Sequence, residues 1–201
     1  MIQRDDITGI VLCGGAGRRM GGRDKPLELF DGRPLVAHVV ARLAPQVACV
    51  VISCGRNAEQ YAHWSKLVVV DDVPGQGPLR GLLTALDAID THYAFVCPGD
   101  APLLSTVLVE TLRHAWANSA TVVCVPFDGV RTQHLFLLLR VALRDELRNH
   151  LDRGGRSVHG WLATLNTCQV DVSVAVASFR NVNSDDDLCS LNAVLAQKPH
   201  R

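Results

Sequence analysis

The sequence lacks an excess of either charge: its 20 lysines and arginines are matched by 20 aspartates and glutamates, scattered along the chain. Such a chain has no general field for drawing in nucleic acid or anionic lipid, so any anion site must be local. It also lacks an apolar run approaching the roughly 18 residues that suggest a membrane span. Met1 to Asp6 carry charges of both signs and lack the apolar stretch of a secretory signal, so a cytoplasmic protein is expected. The seven cysteines include no CxxC pair, and Cys13, Cys49, Cys97 and Cys124 lie in or beside apolar runs, which reads as buried reduced thiols rather than disulfides or zinc. The eight histidines form no HExxH pattern, which argues against a histidine metal centre. Repeats, low-complexity tracts and linkers are absent.

What is present suits one folded unit. At 201 residues and 48% hydrophobic content, the chain can bury a full core, and residues 1–201 read as a single domain. Short β-rich apolar runs alternate with longer amphipathic ones, the pattern of an α/β fold: a single Rossmann-like domain with a mostly parallel central sheet and helices on both faces. Strands are predicted at Ile7–Cys13, Val47–Cys54, Leu67–Asp71, Tyr93–Cys97, Thr121–Pro126, Leu135–Leu139 and Val170–Ala177. The earlier ones are nearly continuous in apolar residues, as strands buried on both faces should be. Helices are predicted at Pro34–Leu43, Leu79–Ile89, Thr106–Ala117 and Val141–Leu151, with an amphipathic stretch at Val158–Leu165. A last helix is expected after Ser184, whose side chain suits an N-cap, with Asp185 to Asp187 placing negative charge at its start.

The most informative segment runs from Leu12 to Lys25, directly after the first strand. It holds five glycines, three arginines and a lysine. Glycines let the backbone approach a ligand closely with its amides free, and the cations add mobile positive charge. Together they describe a polyphosphate cradle at the carboxyl end of a strand, where open α/β sheets bind ligands. It is not a P-loop, since Gly17 and Gly22 are followed by Arg23-Asp24 instead of Lys and Ser or Thr. Nor is it a GxGxxG fingerprint, because Met20 stands where the third glycine belongs.

Asp100 closes the apolar run Ala94–Cys97 within Pro98-Gly99-Asp100-Ala101-Pro102. A carboxylate there could hold Mg²⁺ against phosphate oxygens, or simply end a turn. Asp71 and Asp72 close another strand and could equally be solvated acids. Gly77-Pro78-Leu79-Arg80-Gly81 opens a helix whose first amides could bind an anion or a base edge. Arg153-Gly154-Gly155-Arg156-Ser157 is a second glycine and arginine cluster, readable as a phosphate site or as a plain connection. Asn181-Val182-Asn183 offers two amide side chains, or an Asx turn into the last helix.

In Leu12, Gly14-Gly15, Arg19-Met20-Gly21 and Asp24-Lys25 the glycine loop resembles the signature of the molybdenum cofactor guanylyltransferases, within the wider nucleotidyltransferases. The resemblance extends through Gly77–Gly81, Cys97–Pro102 and Asn181–Asn183 in the same order. It implies transfer of GMP from GTP to the phosphate of molybdopterin or molybdenum-molybdopterin, with Mg²⁺ and release of pyrophosphate. It implies catalytic roles for Arg19, Lys25 and Asp100, with Asp100 as the metal ligand. Nucleotide contacts follow for Leu12, Cys13, Gly14, Gly15, Lys25, Ser53, Asp71 or Asp72, Gly77, Gly81 and Asp100, and acceptor contacts for Arg156, Asn181 and Asn183. Of the two strand-end acids, Asp72 is narrowly preferred. Ser53 stands where relatives often carry a nucleotide-contacting asparagine, and Arg80 where they often carry a small residue. Cofactor insertion proteins and molybdoenzymes are the implied protein partners of a monomer. The competing expectations are a CTP-dependent or sugar-phosphate nucleotidyltransferase, and a nucleotide-binding regulatory module without turnover. Gly14-Gly15 and Gly77–Gly81 resemble the guanylyl form, since cytidylyl relatives tend to carry L-A-A-G and lack G-P-L-x-G.

Overall fold

The computed structural model describes residues 2–14, 23–71, 77–116, 120–182 and 187. Its frame is one seven-stranded sheet made of β1 (Ile7–Cys13), β4 (Cys49–Cys54), β5 (Leu67–Val70), β6 (Tyr93–Pro98), β7 (Val123–Phe127), β8 (Leu137–Arg140) and β9 (Thr167–Asp171). The spatial order is β5-β4-β1-β6-β8-β7-β9. Neighbours run parallel except at β8, which is antiparallel to both β6 and β7. From β1 the chain moves outward to β4 and β5, then returns to place β6 on the other side of β1. That reversal leaves a crevice at the carboxyl ends of β1 and β6.

Strand residues alternate between two cores. Ile7, Val11, Ile52, Phe95, Cys97, Cys124 and Leu138 face α1 (Leu35–Leu43), the short α2 (Ala58–Tyr61) and α4 (Leu108–Ala115). Ile10, Val51, Val96, Val123, Val125 and Leu137 face α3 (Pro78–Asp87), α5 (Arg144–Asp152) and α6 (Val158–Leu162). Helices therefore cover both faces, which is why the central strands read as unbroken apolar runs. No described helix is long and apolar enough to cross a membrane.

Several boundaries differ from expectation for local reasons. Pro34 does not begin the helix. It ends a hairpin of β2 (Leu29–Phe30) and β3 (Arg33–Pro34) and serves as the N-cap of α1. The hairpin turns on Asp31 and Gly32, both at positive φ (50° and 70°), the conformation a tight two-residue turn requires. The expected strand Val170–Ala177 is instead β9, ending at Asp171, followed by a 3₁₀ turn over Ser173–Phe179. Asp171 Oδ1 accepts from the Ser173 amide at 2.9 Å and turns the chain out of the sheet. Val141–Leu151 is a 3₁₀ turn at Val141–Leu143 leading into α5. The helix expected after Ser184 lies outside the described residues, apart from Asp187.

Gly9 lets α1 settle onto β1. A methyl group there would stand 2.8 Å from Leu43 Cδ2 and 3.1 Å from Val47 Cγ2. Gly9→Ala should therefore lower the free energy of unfolding by about 1–3 kcal/mol, as overpacking of a filled core does. Urea denaturation checks it, and a stability equal to wild type would show that the contact yields freely.

Candidate active site

The carboxyl ends of β5, β4, β1 and β6 lie level, since Cys54 pairs with Val70 and with Cys13, and Leu12 with Pro98. One further bond, from the Gly99 amide to the Leu12 carbonyl at 2.9 Å, carries the β1–β6 pairing past the last strand residue. It requires a close approach. A Cβ on Gly99 would lie 2.5 Å from Cys13 Sγ and 3.3 Å from Pro26 Cβ. Cys13 is buried, and burial first, then the Asp24 carboxylate, push its thiol well up, so it presents a neutral SH inward. Gly14, the next residue, is exposed, and a Cβ on it would meet nothing within 4 Å among the described residues.

Asp100 follows Gly99 directly. Its Oδ2 lies 2.5 Å from Lys25 Nζ, with side-chain exposures of 16% and 20%, a short charge-assisted contact partly out of water. Its Oδ1 is buried and has no hydrogen-bond partner among the described residues. The Asp100 carbonyl accepts from the Val182 amide at 3.0 Å. Val182 is held in a small cluster with Phe30 and Leu35, so the hairpin and the start of α1 press the Asn181 segment against Asp100. Asn181 Oδ1 is also buried without a partner. Two unsatisfied oxygens thus lie on segments joined by one hydrogen bond.

Asp24 is pinned from the β4 side. Tyr61 OH donates to its Oδ1 and Asn57 Nδ2 to its Oδ2, each at 2.8 Å, and Arg56 Nε stands 3.9 Å from Oδ2. Asp24 in turn caps the 3₁₀ turn Lys25–Leu27.

The other wall is built from α3. Gly77, its N-cap, has φ 78°, and a Cβ there would lie 3.5 Å from the Arg156 carbonyl, so this loop and the second glycine and arginine cluster adjoin. Arg156 Nη1 donates at 2.7 Å to the carbonyls of Leu151 and Gly155, which fixes the guanidinium in its own loop. Ser53 is buried, and its Oγ donates to the Gly81 carbonyl at 3.0 Å, tying β4 to α3. A Cβ on Gly81 would stand 2.9 Å from that oxygen, so Ser53 and Gly81 form one close packing contact. Asp71 Oδ1 lies 3.9 Å from Arg80 Nε, and the Asp71 amide continues the sheet by donating to Cys54 at 2.8 Å.

This arrangement matches known proteins along nearly its whole length. Residues 9–167 match the MobA-like NTP transferase domain. Proteins named molybdenum cofactor guanylyltransferase are 37% identical in Ralstonia nicotianae (95% of this chain, 98% of that one) and 40% identical in Cupriavidus metallidurans (94% and 95%). The chain belongs to the MobA-like NTP transferases. The same fold occurs in the molybdopterin-guanine dinucleotide biosynthesis protein A of Archaeoglobus fulgidus, with a TM-score of 0.79, 23% identity, and 95% and 100% of the two chains covered.

In this transferase the sequence-predicted residues fall into two neighbouring groups. Lys25, Asp100 and Asn181 gather around the end of β6, with Leu12, Cys13 and Gly14 at the end of β1. Ser53, Asp71, Gly77, Gly81 and Arg156 gather around the start of α3. Gly15, Arg19, Asp72 and Asn183 lie outside the described residues. Sequence reasoning missed Asn57 and Tyr61, whose donors sit one helical turn apart and converge on a motif aspartate. It also left Asp24 without a role. The donor set fits Mg²⁺: a buried, unpartnered carboxylate oxygen is a hard ligand. Among the described residues no cluster of three or more metal-binding side chains exists, so such an ion would rest on Asp100, phosphates and water, as Mg²⁺ tolerates.

Gly99→Ala should destabilise the transferase by about 1–3 kcal/mol, because the new methyl must displace the Cys13 sulfur. Adding Cys13→Ala should recover part of the loss by removing that sulfur. Thermal melts of the two variants test this, and equal melting of single and double variants would show that the strain lies elsewhere.

Proposed function

We propose that this chain, acting through residues 1–201 as one nucleotidyltransferase domain, transfers GMP from GTP to the phosphate of molybdopterin or molybdenum-molybdopterin, releasing pyrophosphate. The observation that carries the reading is the meeting of Lys25, from the glycine loop, with Asp100, whose second oxygen is unpartnered, at the crevice where the strand order reverses.

A phosphate oxygen of the acceptor attacks the α-phosphorus of GTP in line. The bond to the bridging β-phosphate oxygen breaks, and its electron pair leaves with pyrophosphate. Such a reaction needs alignment and charge stabilisation rather than a protein nucleophile. Lys25 exchanges Asp100 for a phosphate oxygen and stabilises the charge that develops there, with Arg19 in the same role. Asp100 would hold Mg²⁺, which would supply further neutralisation of the phosphates. The open surface at Gly14 lets its backbone amide reach the nucleotide, Gly15 has the same role, and the positive end of α3 behind Gly77 favours an anion. Leu12, Cys13, Ser53 and Gly81 support the nucleotide through their packing, and Asp71 or Asp72 contacts it.

On the acceptor side, Arg156 has Nη1 anchored to its own loop, and the other edge of its planar fork suits a phosphate. Asn181, with Asn183, offers amides to the pterin beside Asp100. Adjacency of the Arg156 carbonyl to Gly77 supports a donor and an acceptor that share one crevice.

Asp100→Asn should remove nearly all Mg²⁺-dependent turnover while leaving the fold, because the amide keeps the size and loses the charge that a hard cation prefers. Raising Mg²⁺ should restore part of the rate. A wild-type Mg²⁺ response in a well-folded variant would reduce Asp100 to a turn residue.

GTP should be preferred over CTP and ATP when the three compete with molybdopterin as acceptor. A site that hydrogen-bonds one base edge can reject a base lacking it by roughly 10⁴. CTP matching GTP in kcat/KM would overturn the guanylyl assignment and leave nucleotidyl transfer intact.

A further inference from the structure

The helix α2 spans only Ala58–Tyr61, too short to serve as a covering layer for the sheet. What it does provide is a pair of donors one turn apart. Asn57 at its N-cap and Tyr61 at its end reach the two oxygens of the same carboxylate, Asp24, each at 2.8 Å. Arg56, the residue before, adds a guanidinium nitrogen at 3.9 Å. The Asp24 side chain is itself 10% exposed; the Tyr61 contact reaches it from the protein interior, and the Asn57 and Arg56 contacts reach it from the surface.

Each donor is suited to a fixed position. Tyr61 is fully buried. Burial, followed by the neighbouring Cys13 and Asp24, pushes its hydroxyl well above the ordinary tyrosine range, so it remains an O–H donor at neutral pH. Asn57 has φ 57°, one of two described residues other than glycine with positive φ. Asparagine tolerates that left-handed conformation better than most side chains, and here it aims the amide at Asp24.

Asp24 stands immediately before Lys25. With both carboxylate oxygens fixed and its carbonyl accepting the Leu27 amide at 2.9 Å, the backbone of residue 24 has little freedom. The direction in which Lys25 leaves it is set accordingly. We propose that Asn57 and Tyr61 are positioning residues for Lys25, acting through Asp24 to anchor the downstream end of the glycine loop to the β4 side of the sheet. The chain leaves the sheet at the end of β1, and the clamp holds Asp24 on the β4 side while Lys25 reaches Asp100 at the end of β6. This rests on the reading of Lys25 as a phosphate-binding group.

The test is a double-mutant cycle on the full chain. Tyr61→Phe removes one hydroxyl and leaves the ring in the core. Asn57→Gly removes the amide and accepts the same φ without strain. The combined variant Tyr61→Phe/Asn57→Gly is compared with wild type, with Lys25→Ala, and with all three substitutions together. Calorimetric binding of Mg²⁺-GTP and steady-state turnover are both recorded, with thermal melts to confirm folding.

With Lys25 present, loss of the clamp should lower turnover by about ten- to a hundred-fold, the scale of a small misplacement of a charge-stabilising group. In the Lys25→Ala background the same substitutions should change binding and turnover little, because the group they position is gone. A merely structural role would give equal fractional losses in both backgrounds, and that result, or unchanged turnover in the clamp variant, overturns the proposal. If wild type binds the triphosphate with this coupling to Lys25 but transfers no guanylyl group, the functional reading falls and the clamp stands. Triphosphate binding that ignores Lys25 overturns both.

Discussion

The backbone hydrogen bond from Gly99 to the Leu12 carbonyl sets the geometry on which the candidate site depends. It extends the pairing of β1 and β6 by one step beyond the strands, and it forms only because residue 99 has no side chain to collide with Cys13 and Pro26. Asp100, the next residue, is thereby delivered beside the glycine loop. The Asp100 carbonyl then takes the Val182 amide, so a segment more than eighty positions away in sequence is registered against the same point. A shift of one residue in the β1–β6 pairing would carry Asp100 away from Lys25.

Precision at this edge comes from the sheet behind it. β1, β4 and β6 are buried on both faces, and their alternate side chains belong to two separate cores, so neither face can slide without disturbing the other. The helices add cross-ties near the edge: Ser53 to the Gly81 carbonyl, Asp71 beside Arg80, and Asp24 to Asn57 and Tyr61. Lys25, Asp100 and the start of α3 are therefore attached to rigid elements.

The central strands were legible because two-sided burial writes itself as a continuous apolar run, and β1 begins and ends where that run does. The glycine loop stands out in the sequence because five glycines and four cations together have few structural uses, and Gly15 to Gly22 lie outside the described residues. Elements set by very local or very distant contacts were not. β2 and β3 are two residues each, shorter than any periodicity, although Asp31-Gly32 carried a turn signal. Three of the four residues of β8, Leu137 to Leu139, are apolar whichever way the strand runs, so its antiparallel direction could not be read from them. Ser53 was assigned by likeness to a nucleotide contact, and its hydroxyl meets a carbonyl 28 residues away, a distance that no local pattern encodes. The role of Asn57 and Tyr61 had a trace in their four-residue spacing, but the carboxylate that gives the spacing meaning is brought to them by the fold.

Gly14 separates two kinds of demand that usually coincide. A methyl group on it would touch no described atom, whereas one on Gly9, Gly81 or Gly99 would collide with the protein itself. The described part of the chain is nearly indifferent to what occupies position 14, so the restriction that those residues leave open falls to whatever enters the crevice. Evolution could therefore retune the fit of the ligand at that position with little effect on the architecture that surrounds it.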